Sequence, residues 1–286
     1  MLSATGHAQS GRAELFGTVR DPSALAVSGA VCELIEDHTA TKYQTVTAPD
    51  GAYHFYALPP GEYALTIRKS GFTALRRTGI ALDVASRIAI DLSLAVGDVQ
   101  TTVDVAATAP LLETTTGATS FLVDDAKTQT LPLDGRNFVP LIALQPGVML
   151  PPGQLFPRIN GSRPRTSEYQ YDGVSVLQPE PGQVAYYPVL DSIAEFRVQT
   201  NSYSAEYGRS NGGVIQVSTK AGTNDWHGSL FEYLRNEAVN ARNLFAAPGP
   251  KPLFRRNLFG GTIGGPLRAN RTWVFADWQS ARLKTG

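Results

Sequence analysis

His7, His38, His54, His227 and Cys32 are the side chains of this 286-residue chain best suited to hold a metal or to act as base or nucleophile. Their spacing supports neither role. No HxxE or HExxH pattern surrounds a histidine, and one thiol makes neither an internal disulfide nor a metal site by itself. The histidines are expected to be structural, and Cys32 a small buried residue of a strand. The glycine-rich run Gly260 to Gly265, GGTIGG, lies within a strand-like segment, with no βαβ unit around it to cradle a dinucleotide. Nucleophile elbow, phosphate loop and partnered carboxylate pair are all missing from the sequence. An enzyme is therefore not expected: no catalytic residue, metal or cofactor is assigned.

The totals point away from two further classes. Lys+Arg and Asp+Glu both number 25, so no net charge draws the chain to nucleic acid or an anionic surface. No apolar run approaches the roughly 20 residues of a spanning helix, because Phe138 to Leu150 is cut by Pro140 and Pro146. With 27 glycines, 19 prolines and 17% charged residues, the composition suits many short strands and turns, and the length allows about two domains.

From Ala13 to Gly97 seven β-prone runs alternate with turn signals: Leu15 to Val19, Ala30 to Ile35, Tyr43 to Thr47, Tyr53 to Tyr56, Tyr63 to Arg68, Ile80 to Val84 and Ile88 to Leu94. This rhythm predicts a β-sandwich of about a hundred residues or fewer. Asp50-Gly51 reads as a hairpin turn with positive φ at both residues. Tyr53, Phe55, Tyr56 and Tyr63 are either a sugar-stacking platform or core, and alternation in a sandwich favours core. Val99 to Thr116 loses the turn rhythm and reads as an extended linker or edge strand. Asp124 to Gln129 predicts a short helix opened by carboxylates. Asn137 caps a second, with Phe138, Leu141, Ile142 and Leu144 on one side. Asp172-Gly173 is a further hairpin signal.

The most informative stretch is Leu190 to Asn224, which reads as two buried strands joined by a loop whose glycines let backbone pass close to backbone. Here EFRVQTNSYSAEYGRSNGGVIQVSTKAGTN, followed by HGSLFEYLRN and RRNLFGGTIGGP, resembles the plug and first barrel strands of Oar-like TonB-dependent outer-membrane receptors. The upstream LPLDGRNFVPLIALQPGV and Arg158-Ile159-Asn160-Gly161 are similar to the same group. After Asn224, Trp226 to Asn236, Phe254 to Gly264 and Thr272 to Arg282 have the length of tilted membrane strands, separated by a long loop and then a short turn. Gly17-Thr18-Val19, Gly29-Ala30-Val31, Thr47 to Tyr53, Leu58 to Tyr63 and Gly71-Phe72 resemble the carboxypeptidase regulatory-like domain, a transthyretin-like or carbohydrate-binding-like sandwich.

The resemblance implies a mainly β fold: a seven-stranded sandwich over 13–97, a linker over 98–117, an α+β plug over 118–223, and the first strands of an incomplete transmembrane β-barrel over 224–286. Three strands cannot close a barrel, and open edges are costly in lipid, so the chain is expected to be the N-terminal fragment of a transporter. Residues 1–12 read as disordered or as the remnant of an export signal whose start lies upstream, because Met1 to Ser10 carries small residues like those around a signal-peptidase cut. By position, Val103, Asp104, Val105, Ala106 and Ala107 resemble the TonB box, which would add as a strand to the sheet of a TonB complex in the inner membrane. The other implied partners are the remaining barrel and outer-membrane lipid, with the sandwich in the periplasm and no nucleic acid. The ligand is unidentified, carbohydrate among the options; Tyr186, Tyr187, Arg163 and Arg165 are candidate contacts on the plug loops. The alternative is a soluble carbohydrate-binding-like sandwich module of a surface binding or structural protein.

Overall fold

The computed structural model describes residues 12–97, 102–106, 113, 116–131, 133–180, 182–208, 210–242, 245 and 249–286. The proposed export-signal remnant therefore lies, but for Arg12, outside the described residues.

The N-terminal body is a sandwich. Strands β1 (Ala13–Arg20), β2 (Val31–Glu36), β3 (Lys42–Val46), β4 (Ala52–Leu58), β5 (Gly61–Arg68), β6 (Ala74–Leu82), β7 (Arg87–Ala89) and β8 (Leu92–Ser93) are joined by β9 (Thr102–Ala106) from the linker. One sheet runs β4-β1-β7 with β8 also on β1, and the other runs β3-β2-β5-β6-β9. Inward residues alternate along β2, where Cys32 and Leu34 are fully buried, and meet Leu15, Leu58, Tyr63, Leu65, Ile67 and Ile80 in one core. Tyr53, Phe55 and Tyr63 are core, as alternation favoured; Tyr56 is exposed and stacks on His54 at 3.6 Å between ring centres.

Two local expectations change. The run Ile88 to Leu94 divides into β7 and β8, both parallel to β1, because the chain between them presses its Ile90 carbonyl onto the Cα of Gly17, where any Cβ would overlap it. The Ile90 carbonyl accepts a bond from Tyr53 Oη at 2.7 Å, and the Asp91 carboxylate accepts from Thr18 N at 2.7 Å. The Asp50-Gly51 turn is not a hairpin. Only Gly51 has positive φ (80°), and β3 and β4 lie in different sheets, so the turn carries the chain across the sandwich. The Asp50 side chain settles this locally by accepting from Ala52 N at 3.0 Å. Asp172-Gly173, in contrast, has positive φ at both residues and joins a paired hairpin.

The middle body is built on β10 (Thr119–Asp124), β11 (Val148–Met149), β12 (Arg158–Ile159), β13 (Glu168–Tyr171), β14 (Val174–Ser175), β15 (Ile193–Asn201) and β16 (Val214–Thr219). Its main sheet has the order β10-β15-β16-β13-β14, with β13 and β16 parallel. Helix α1 (Asp125–Thr130) starts at Asp124, whose Oδ1 accepts from Lys127 N at 2.9 Å. The single turn α2 (Val139–Ile142) is held by Asn137 Oδ1, which accepts from Val139 N at 2.9 Å. Phe138, Leu141 and Ile142 are buried, but Leu144 is 60% exposed, because the helix ends before the turn that would bring it round. Between β15 and β16, Gly213 (φ 92°) lies against the Gln199 carbonyl and the Ile159 side chain, and Gly212 against Thr166 and Ser162, so the expected close backbone approach is present.

The last body is an antiparallel sheet of β17 (His227–Asn236), β18 (Phe254–Arg268) and β19 (Thr272–Thr285). The second and third strands are longer than the ten-residue segments read from the sequence: β18 continues through a bulge at Pro266–Arg268 to the Arg268–Thr272 pair, and β19 continues because Leu283, Lys284 and Thr285 pair with Arg256, Arg255 and Phe254. The glycines of GGTIGG are seats for large side chains. A Cβ at Gly260 would stand 2.7 Å from the Phe231 ring, one at Gly261 2.7 Å from Leu230, one at Gly264 2.9 Å from Phe275, and one at Gly265 would meet Trp226. Among the described residues no helix is long and apolar enough to cross a membrane.

Candidate functional site: the middle body, its wall and its linker

The candidate coupling residues Val103 to Ala106 form β9, and Ala107 lies outside the described residues. The strand is parallel to β6, with Val103 opposite Leu75, Asp104 opposite Arg76 and Val105 opposite Arg77. The linker is thus the edge strand of the sandwich's second sheet, held by the backbone pairing that strand addition uses.

The middle body grips the wall through the turn Asp134-Gly135-Arg136, where Arg136 has φ 54° and Gly135 φ 85°. This conformation aims both charged side chains outward from one turn. A terminal nitrogen of Arg136 lies 2.7 Å from each oxygen of Asp191, and both residues are buried. The guanidinium also lies over the rings of Tyr233 (4.6 Å) and Phe231 (5.6 Å) of β17. A desolvated cation over aromatic faces is attracted by the ring quadrupoles. Asp134 pairs with Arg235 at 2.6 Å and with Arg256, and these two cations hold its carboxyl below the usual carboxylate range.

These contacts decide which face of the wall is which. Phe231, Tyr233 and Arg235 turn toward the middle body, so by the two-residue period Leu230 and Leu234, 93% and 70% exposed, turn away. The register carries the parity across: Phe231 pairs with Gly260 and Gly260 with Gln279, whereas Leu230 pairs with Gly261 and Gly261 with Trp278. Ile263 and Trp278 are exposed on the outward face, and Leu258 is buried on the inward one. The mixed alternation of Gly228 to Arg235 follows: Phe231 and Tyr233 face inward onto a cation, while Leu230, Glu232 and Leu234 face outward.

A second polar cluster joins the middle body to the sandwich. Arg197 of β15, 7% exposed, lies 2.6 Å from Glu113 and 3.7 Å from Asp83. Glu195 accepts a hydrogen bond from Val84 N, and burial, reinforced by Asp83, pushes its carboxyl up to about 7. The usual signals of sequence reading, a motif or a repeat, do not mark these residues; they are assembled from three distant segments.

The loop candidates separate. Tyr187 packs on Phe138 and donates to the Leu155 carbonyl at 3.3 Å, so it belongs to the core's rim. Tyr186 is 56% exposed with its ring edge-on to Tyr171, and the Arg165 guanidinium lies 4.6 Å from the Phe156 ring. Arg163 contributes its carbonyl to Thr166 Oγ1 at 2.7 Å. Of the described histidines, His54 meets Glu14 at 3.2 Å and the His38 carbonyl accepts from Asn224 N at 3.0 Å. Among the described residues no three His, Cys, Asp or Glu side chains are grouped to hold a metal.

Two family models match the chain: the carboxypeptidase regulatory-like domain over residues 14–95 and the outer membrane beta barrel domain over residues 218–286. The TonB-dependent transporter Oar of Myxococcus xanthus is 29% identical over 92% of the chain, which spans about a quarter (26%) of that relative's length. Among solved structures, the siderophore receptor PirA of Pseudomonas aeruginosa overlaps 58% of this chain and 28% of its own at 18% identity and a TM-score of 0.44. The 5-hydroxyisourate hydrolase of Klebsiella pneumoniae overlaps 29% of this chain and 91% of its own at 23% identity and a TM-score of 0.23. At such scores neither overlap defines a fold. The chain is a homologue of the TonB-dependent transporter Oar; it joins a periplasmic carboxypeptidase regulatory-like sandwich to sequence of an outer membrane beta barrel domain, and its place is the outer membrane.

Proposed function

We propose that residues 118–223 act as the plug of a TonB-dependent transporter, with 13–97 as its periplasmic sandwich, 98–117 as the linker and 224–286 as the first strands of the barrel. The observation that carries this is the inward face of the wall. Phe231, Tyr233, Arg235 and Arg256 are spent on the middle body, while Leu230, Leu234, Ile263 and Trp278 face away with nothing over them among the described residues. A sheet that turns Leu230, Leu234, Ile263 and Trp278 out and grips a folded body with its other side suits a lipid-facing barrel around a stopper.

In this reading the sheet is completed by further barrel strands, and the apolar face meets outer-membrane lipid. Energy comes from the TonB complex of the inner membrane, which engages Val103 to Ala107 by strand addition. Ligand passes when the plug moves or opens locally. Its chemistry is unassigned. Loops bearing Tyr186, Arg163 and Arg165 are the proposed contacts, and carbohydrate is one candidate class.

Cysteine accessibility in outer-membrane vesicles tests the reading, using the reading frame in which this chain lies. Leu230→Cys should react with a membrane-soluble maleimide and be shielded from a charged one. Tyr233→Cys should resist both until urea displaces the plug. Equal labelling of both positions by the charged reagent in intact membranes contradicts the assignment. Val103→Cys should cross-link to TonB in cells; cross-linking equal to that of an exposed sandwich position such as Tyr56→Cys removes the coupling role.

A further inference from the structure

Three segments of the chain converge on Arg197, and one of them belongs to the linker. Arg197 lies on β15, which sits between β10 and β16 in the middle body's main sheet. Its Nη1 reaches Glu113 Oε2 at 2.6 Å and Ser120 Oγ at 3.3 Å, and Nη2 reaches Asp83 at 3.7 Å. Its Nε is buried with no hydrogen-bond partner among the described residues. The other oxygen of Glu113 accepts from the sandwich backbone, Arg87 N, at 3.0 Å. One linker carboxylate therefore bridges both folded bodies.

The surroundings are acidic. Glu195 and Asp83 stand with Glu113 around this one guanidinium, with Asp124 and Lys127 contributing more weakly from the start of α1. A buried cation with its partner removed is strongly destabilising, because its desolvation cost is then uncompensated. Glu113 is the closest of the carboxylates to Arg197, and the one that the linker carries.

We propose that Glu113 is the positioning residue through which movement of the linker reaches the plug: drawn out with the linker, it uncovers Arg197 and loosens β15 and its neighbours. The inference rests on the transporter reading for the origin of the pull, and on the Glu113–Arg197 geometry for its effect. It adds a defined point of entry for force, ahead of any opening of the plug core. The sandwich takes part as well, since withdrawing Glu113 also frees Arg87 N and removes one of the bonds that dock the two bodies.

Hydrogen exchange followed by mass spectrometry on the full chain in detergent micelles tests it without TonB or ligand. Glu113→Gln and Glu113→Ala should speed exchange of the β15 and β10 amides by about tenfold or more and leave β2 and β5 of the sandwich core unchanged. Asp83→Asn, which removes a more distant carboxylate from the same cluster, should have a much smaller effect. The proposal is overturned if β15 exchange is unaltered, if β2 and β5 speed up in parallel, or if Asp83→Asn matches Glu113→Gln. A failed uptake assay with normal exchange results would count against the transporter reading and leave the Glu113 coupling intact.

Discussion

The sandwich and the wall are both β-sheet structures rich in aliphatic and aromatic residues, yet they place them oppositely. In the sandwich, Leu15, Leu34, Leu65 and Ile67 are fully buried between two sheets. In the wall, Leu230 and Leu234 project outward, and the inward side carries Arg235, Arg256, Phe231 and Tyr233. The sandwich is stabilised by removing apolar surface from water within its own residues. The wall has no second layer of its own; its inward side is organised by what the middle body offers, chiefly one buried cation and one carboxylate. The wall thus exposes Leu230, Leu234, Ile263 and Trp278 on one side and grips a folded body with the other, whereas the sandwich covers its own apolar faces.

Core truncation should separate the regions most sharply. Phe196→Ala, in the fully buried centre of the middle body, should cost about 3–5 kcal/mol in chemical denaturation, whereas Leu230→Ala should change stability in micelles by less than about 0.5 kcal/mol. Similar losses for both would mean that the wall has a core like the sandwich's. Arg136→Ala comes next. It strands Asp191 in a buried site and leaves Phe231 and Tyr233 uncovered, at a cost of about 3–5 kcal/mol, and the urea midpoint for release of the middle body from the wall should drop accordingly; Arg136→Lys should recover only part of it.

The junction between the sandwich and the middle body should be pH-dependent. Glu195 holds its proton more tightly in the folded chain (about 7, against an ordinary 4.5) than in the unfolded one. Its contribution therefore favours folding at low pH, weakens as pH climbs from about 4.5 to about 7, and is level above. Melting temperatures recorded across this range should show a decline, on the order of a few kcal/mol in total, that Glu195→Gln abolishes. Gly17→Ala should cost about 1–3 kcal/mol by forcing the Ile90 carbonyl away, and calorimetry should report it in the sandwich transition alone. The smallest effect is expected at Asp134→Asn. That carboxylate is 65% exposed, so losing its two arginine partners should cost below about 1 kcal/mol and respond to added salt, which Arg136→Ala should not.

Much of this was legible in advance because it depends on local pattern. Strand runs and their turn signals located the sandwich, and the Leu190 to Asn224 stretch with its Gly212-Gly213 pair marked β15 and β16. Where short-range rules failed, a long-range contact had won. Asp50-Gly51 has hairpin chemistry, but the strands on either side belong to opposite sheets. Leu144 has the right spacing for a helix face, but the helix stops two residues earlier, at Ile142. The GGTIGG run was recognisable as unsuited to phosphate; that its glycines seat Phe231, Leu230, Phe275 and Trp226 required the register of three strands. The linker was read as extended or as an edge strand, and β9 is an edge strand; that it docks on β6 could not be read, because backbone pairing leaves little trace in side-chain type.

The sequence by itself determined what each segment prefers: period-two strands, turns at Gly, Pro and Asp, capped short helices, and the absence of metal or nucleophile spacing. These are properties of residues and their near neighbours, and they survive without knowing what lies across the fold. Only the tertiary structure decided which face of the wall is inner, that Arg136 serves Asp191 and two aromatic rings together, and that Glu113, Asp83 and Glu195 gather around the buried Arg197. Electrostatic and cation–aromatic energies depend on distance and desolvation, and sequence separation specifies neither.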